Sequence, residues 1–152
     1  MIITRRTNST DQNFLQLISL LDKELWNRYP ELQVEYEKHV KLEYIETVLV
    51  AYFENLAVGC GCFVAHNNKL IEIRRMYVLP DYRGKGISRI ILNELEKWAT
   101  ELGYKTAILE TGNKQPEALN LYKNSGYIET DRYGPFKDLE SSFCFRKTLI
   151  HS

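Results

Sequence analysis

Between Leu70 and Leu102 the apolar pattern changes once, from that of a strand to that of a helix, and a glycine-bearing loop sits at the change. Leu70 to Leu79 reads as a strand, and Pro80, which has no amide hydrogen to give to a ladder, stops it. Ile87, Ile90, Ile91, Leu95, Trp98 and Leu102 then recur at helical spacing, with Gly103 suited to the position just past the helix end. The loop Asp81 to Gly86 must therefore turn a strand directly into a helix. The first amides of such a helix have no internal acceptors. Its start carries about half a positive charge, and Gly84 and Gly86 allow the backbone positive φ and close approach to a ligand. These properties make a site for phosphate or pyrophosphate, and Arg83, Lys85 and Arg89 add positive charge to it. The plainer reading is an ordinary strand-to-helix turn with solvated basic side chains, and Gly-x-Gly alone does not choose between the two.

Two familiar phosphate loops are excluded. A Walker A loop needs Lys and then Ser or Thr after its second glycine, but Gly86 is followed by Ile87. A dinucleotide fingerprint needs a third glycine, where this chain has Arg89.

The remaining pattern sets the fold class. Ile2 to Arg6 reads as a first strand, and Ser9, Thr10 and Asp11 offer an N-cap to a helix carrying Phe14, Leu17, Ile18, Leu21 and Leu25 up to Pro30. Residues 31–45 are polar and weakly periodic, with room for a short second helix. Thr47 to Phe53 and Ala57 to Ala65 form a hairpin about Glu54-Asn55, and His66-Asn67-Asn68 turns into the strand at Leu70. Thr106 to Glu110 is a short strand, Pro116 to Asn124 a helix, and Tyr127 to Arg132 and Ser142 to Leu149 two last strands. Hairpins followed by strand–helix–strand units predict an α+β (mixed α/β) fold, laid out over residues 1–152 as a single domain.

The 20 basic and 20 acidic side chains cancel, so there is no global pull on nucleic acid or an anionic membrane. Three cysteines without framework spacing, Cys60, Cys62 and Cys144, argue for packed thiols over disulfides, and the histidines show no metal-ligand spacing. The N-terminus lacks an apolar leader and no run spans a bilayer, which gives a cytoplasmic expectation.

The segment Arg83-Gly-Lys-Gly86-Ile-Ser88 resembles the coenzyme A loop of the GNAT superfamily of N-acetyltransferases, Gln/Arg-x-x-Gly-x-Gly/Ala, with Ser88 departing at the last position. Arg75-Met-Tyr-Val-Leu-Pro80 resembles the family's fourth strand. Glu110-Thr-Gly-Asn113 and Pro116-Glu-Ala-Leu-Asn-Leu-Tyr122-Lys-Asn-Ser-Gly-Tyr127 resemble its fifth strand and following helix. The resemblance covers about residues 45–130. It implies a mostly antiparallel sheet of six to seven strands with a splayed fourth/fifth pair, flanked by about four helices. It implies acetyl-CoA as cosubstrate, with no metal. Relatives of this size are often homodimers, and the assembly state stays open here.

By position, the resemblance assigns the pantetheine arm to the backbone of Met76, Tyr77 and Val78, and the pyrophosphate to the amides of Arg83, Gly84, Lys85, Gly86, Ile87 and Ser88. Asn113 would bond to the pantetheine amides. Glu72 matches the family's base by its strand-to-loop spacing and is expected to share a face with Arg74 and Met76; it reads otherwise as an ion-pair partner of Arg74. Glu110 is the substitute base. Tyr122 would protonate the departing thiolate, or else is a packed helix tyrosine. Arg74 could grip an acidic acceptor, and Arg28 and Tyr29 could wall its site. A small-molecule amine is the favoured acceptor. Protein N-termini or lysines, and a non-catalytic sensor of coenzyme A, are the alternatives.

Overall fold

The computed structural model describes residues 1–28, 44–112, 116–130 and 142–149. Its elements are β1 (Ile2–Thr7), α1 (Gln12–Arg28), β2 (Val48–Phe53), β3 (Leu56–Ala65), β4 (Leu70–Val78), a 3-10 turn (Pro80–Tyr82), α2 (Ile87–Glu101), β5 (Thr106–Gly112), α3 (Pro116–Asn124), β6 (Ile128–Thr130) and β7 (Ser142–Thr148). The strands form one sheet in the order β1-β2-β3-β4-β5-β7-β6. Every pair is antiparallel except β4/β5, which is parallel. The expected order of elements is therefore the observed one, with three α-helices among the described residues; the expected short helix over 31–45 falls almost wholly outside them.

Local chemistry accounts for the element ends. Asp11 caps α1, its Oδ1 accepting the Phe14 amide at 3.0 Å. Glu54 and Asn55 both take positive φ, as a tight two-residue hairpin demands. Residues alternate between two cores. On one face α1 lays Phe14, Leu17, Ile18 and Leu21 against Val48, Val50, Cys60, Cys62 and Tyr77. On the other, α2 lays Ile87, Ile91, Leu92, Leu95 and Ala99 against Leu49, Ala51, Phe63, Ile71, Ile73 and Val78. Burying one such Leu or Ile side chain contributes about 1.5–3 kcal/mol. Gly59 and Gly61 let α2 lie close on β3, since a Cβ at Gly61 would stand 2.6 Å from Met76 Sδ and 2.9 Å from Leu95 Cδ1.

Candidate active site

Strand β4 does not keep its alternation to the end. Arg75 has φ +59°, and the β3 register slips between Cys60 and Cys62 opposite it. This is a β-bulge, one extra residue that bends the strand and reverses the facing of everything after it. Glu72 and Arg74 lie opposite Val64 and Cys62 on the α1 side, whereas Met76 packs into the α2 core and Tyr77 takes the α1 side. The expectation that Glu72, Arg74 and Met76 share a face is thereby corrected: the bulge removes Met76 from it. The thiols of Cys60 and Cys62, both buried, point at the carbonyl oxygens of Arg75 and Arg74 at 3.4 Å. Arg75 itself donates to Asp22 of α1 at 2.9 Å. Burial outweighs that cation and raises the Asp22 carboxyl above its ordinary value.

The parallel pairing of β4 with β5 runs only from Leu70↔Thr106 to Ile73↔Leu109, although β4 continues to Val78 and β5 to Gly112. The two strands splay from Arg74 onward. Leu79 donates its amide to Val58 of β3. In an antiparallel pair a residue turns both its backbone groups the same way, and its neighbour turns them the other way. The backbone groups of Val78 and Met76 therefore face the open side, and those of Tyr77 face β3.

That open edge leads into the glycine loop. Gly84 and Gly86 have φ +78° and +81°, and a Cβ on either would meet nothing within 4 Å, so it is conformation and not crowding that requires glycine. Gly86 is the N-cap of α2, with no side chain capping the helix. Among the described residues, the amides from Gly84 to Arg89 donate to no protein acceptor. The amide of Arg83 does donate, to Pro80 across the 3-10 turn at 3.3 Å, and so leaves the expected row of phosphate-binding amides. Its side chain is engaged as well. Nε donates to the Val78 carbonyl at 2.8 Å, NH2 reaches both oxygens of Glu24 at 2.9 and 3.1 Å, and the guanidinium lies over the Tyr77 ring. Arg83 thus ties the loop to β4 and α1. Lys85 lies over the Tyr82 ring.

Glu72 sits one pair short of the splay, opposite Ile108 of β5, and its side chain is mostly buried. One of its oxygens, Oε1, accepts from both His66 Nε2 at 2.7 Å and Arg74 NH2 at 3.0 Å. Oε2 accepts from none of the described residues and is not sealed from solvent. The ion-pair alternative for Glu72 is thus realised with Arg74, on one oxygen only. Nothing in the sequence pattern linked His66 to this group; its only signal was its place in the turn before β4.

Tyr122, on α3, is buried in the α2-side core with its ring edge-on to Tyr127 at 5.9 Å and tilted on Phe145 at 6.4 Å. Its hydroxyl has no hydrogen-bond partner among the described residues, and burial pushes its ionisation well above the ordinary phenol range. Glu110 lies on β5 opposite Cys144 of β7, past the last β4/β5 pair. Arg28 spans from α1 to α3, pairing with Glu117 at 2.7 Å and approaching Glu24 at 3.9 Å. Asn113 and Tyr29 lie outside the described residues. Among the described residues no group of three or more His, Cys, Asp or Glu could hold a metal ion, and no helix is long and apolar enough to cross a membrane.

Comparison with known proteins agrees with this arrangement. The model of the acetyltransferase (GNAT) family matches residues 13–127. The chain is 31% identical over 143 residues to an IAA acetyltransferase of Azospirillum brasilense, covering 89% of this chain and 90% of that protein. Among solved structures, one from Klebsiella pneumoniae described as an acyl-CoA N-acyltransferase superposes with a TM-score of 0.81 at 28% identity, over 99% of both chains. A GNAT family acetyltransferase of Elizabethkingia anophelis, solved with acetyl-CoA bound, gives 0.72 at 21% identity over 97% of this chain and 98% of that one.

Proposed function

The chain belongs to the GNAT family of N-acetyltransferases, and on that premise we propose that it transfers the acetyl group of acetyl-CoA to the primary amine of a small molecule, by direct attack in a ternary complex. The observation that carries the reading is the continuity of two sets of backbone groups: the open β4 edge at Met76 and the Val78 amide, the Val78 carbonyl being taken by Arg83, and the amides of Gly84 to Ser88 beyond it. The first suits the amides of a pantetheine arm, which would add to β4 as a short strand. The second suits a diphosphate at a helix N-terminus. Acetyl-CoA supplies a thioester carbonyl as electrophile and a thiolate as leaving group.

The residues of the chain would do the rest. An alkyl amine is protonated at neutral pH and gives up a proton before or as it attacks. Glu72 Oε2 is the atom for that proton: the residue lies one pair before β4 and β5 part, and Oε1 is anchored by two donors. The amide of Met76 in the bulged β4 segment, on the open side, is the donor for charge on the thioester oxygen, while that of Tyr77 faces β3. Tyr122, on the helix after β5, would donate a hydrogen bond to the departing sulfur. Its buried phenol is a weaker acid than a thiol of about 8.5, so it stabilises the thiolate more than it protonates it. Arg74, on the same face as Glu72 and paired with it, would also grip an acceptor's carboxylate.

Two measurements test the reading. Calorimetry should detect coenzyme A binding at submillimolar concentration, and thiol release with an amine panel should show turnover. Glu72→Gln should lower kcat by about a hundredfold or more while leaving coenzyme A affinity within twofold. No heat of binding would overturn the proposal. Turnover of peptides in preference to free amines would overturn the small-molecule acceptor alone.

A further inference from the structure

Resting on the reading of Glu72 as the base, we infer that His66 is a positioning residue for it, holding one carboxylate oxygen while the other is left to act. His66 ends the β3 hairpin arm, where its amide bonds to the Leu70 carbonyl at 2.9 Å and so fixes the turn. Its Nε2 lies 2.7 Å from Glu72 Oε1. A carboxylate oxygen only accepts, so Nε2 carries the hydrogen. The imidazole therefore holds the carboxylate by one oxygen and leaves the other without a donor among the described residues. The imidazole is partly solvent-exposed while Glu72 is mostly buried.

The charges around the pair are identifiable. Arg74 on β4 shares Oε1 at 3.0 Å, and Lys69 lies in the same turn. The facing positions on β3 and β5, Val64 and Ile108, are apolar. The next charges on this side of the sheet are Glu110 on β5 and Arg146, opposite Ile108 on β7. From α1, Asp22 is paired to Arg75. The two donors on Oε1 fix the carboxylate, and Oε2 is the atom that takes the amine's proton. No oxidant or further reactant is required: one proton passes from the amine to Glu72.

The test is steady-state kinetics at saturating acetyl-CoA and amine for wild type, His66→Gln and His66→Ala. His66→Gln retains an N–H donor, so kcat should stay within about threefold of wild type. His66→Ala loses the donor, and kcat should fall about tenfold or more with the KM for acetyl-CoA unchanged, as for a misplaced catalytic group. In Glu72→Gln, replacing His66 by Ala as well should lower kcat little further, since the group it positions is already gone. Full activity in His66→Ala, no rescue in His66→Gln, or fully additive losses in the double variant would each overturn the inference while leaving the acetyltransferase reading intact. Absence of turnover by wild type with every amine would refute that reading instead, and this inference with it.

Discussion

Arg83 and Tyr122 show how a residue placed correctly in a motif can do a different job from the one its charge or acidity suggests. The Arg83 guanidinium is bonded to Val78 and both oxygens of Glu24, so its main work is to shape the loop, with only the rest of its five donors left over for a ligand. Arg83→Lys should then behave nearly as Arg83→Ala, because an ammonium cannot satisfy a carbonyl and a bidentate carboxylate in that fork. Calorimetry should show coenzyme A affinity about tenfold weaker in both. Lys85→Ala removes an exposed and salt-screened charge and should weaken binding less. The reverse order would mean that charge, not loop shape, dominates. For Tyr122→Phe, the lost hydroxyl leaves no orphaned protein group, so thermal stability should hold within about 1 kcal/mol. Its kcat should drop about tenfold with little change in KM, as expected for a donor used only late in the reaction. An unchanged kcat would reduce Tyr122 to a core residue.

At the scale of elements, the close approach of α2 to β3 depends on glycines that face the helix. Gly61→Ala would place a methyl against Met76, Leu95 and Ile91, all within 3.0 Å, and should cost about 1–3 kcal/mol. Denaturant melts would show this as a shifted midpoint at constant slope. Because Met76 belongs to the stretch proposed to line the pantetheine track, the same variant should also bind coenzyme A more weakly. The strand at Leu70, the glycines of the loop and the periodic helix were all legible, since each is a local property of the chain: a period, a φ requirement, a breaker; the packing role of Gly59 and Gly61 was not, because it depends on α2 lying across them. The bulge at Arg75 was not. Arginine carries no preference for positive φ, and the bulge is held by nonlocal partners, Asp22 on α1 and the thiols of Cys60 and Cys62 on β3. For the same reason period-two reasoning put Met76 on the wrong face, while the Glu72–Arg74 contact, two residues apart before the bulge, could be read directly. The contacts of Arg83 with Glu24 and of Arg28 with Glu117 join elements distant in sequence. A motif names such residues but does not say what they touch.

For the molecule as a whole, the buried ionisable groups set how stability depends on pH in alkali. Cys60 and Cys62 lie wholly inside the α1-side core. Burial raises both thiols, that of Cys62 to about 12 from an ordinary value near 9. Tyr122 is raised by burial, and Tyr127 by burial and by Glu96, to which its hydroxyl donates at 2.9 Å. The sign follows from proton counting. Above about pH 9 the unfolded chain loses thiol protons that the folded chain keeps, so the unfolded state binds fewer protons and unfolding becomes easier as pH rises. Phenols join above about pH 10. Each such group contributes about 1.4 kcal/mol of lost stability per pH unit while it is ionised only in the unfolded chain. For Cys62 that window runs from about 9 to about 12. Melting temperature should therefore be insensitive to these groups near neutral pH and fall with increasing slope above pH 9. The double variant Cys60→Ala, Cys62→Ala should begin lower, because it leaves a cavity, yet fall less steeply between pH 9 and 10. Equal slopes in the two proteins would mean that the thiols are not shielded as their burial requires. Native-state alkylation gives an independent reading, since thiols kept protonated in a closed core should be modified only as fast as the protein opens.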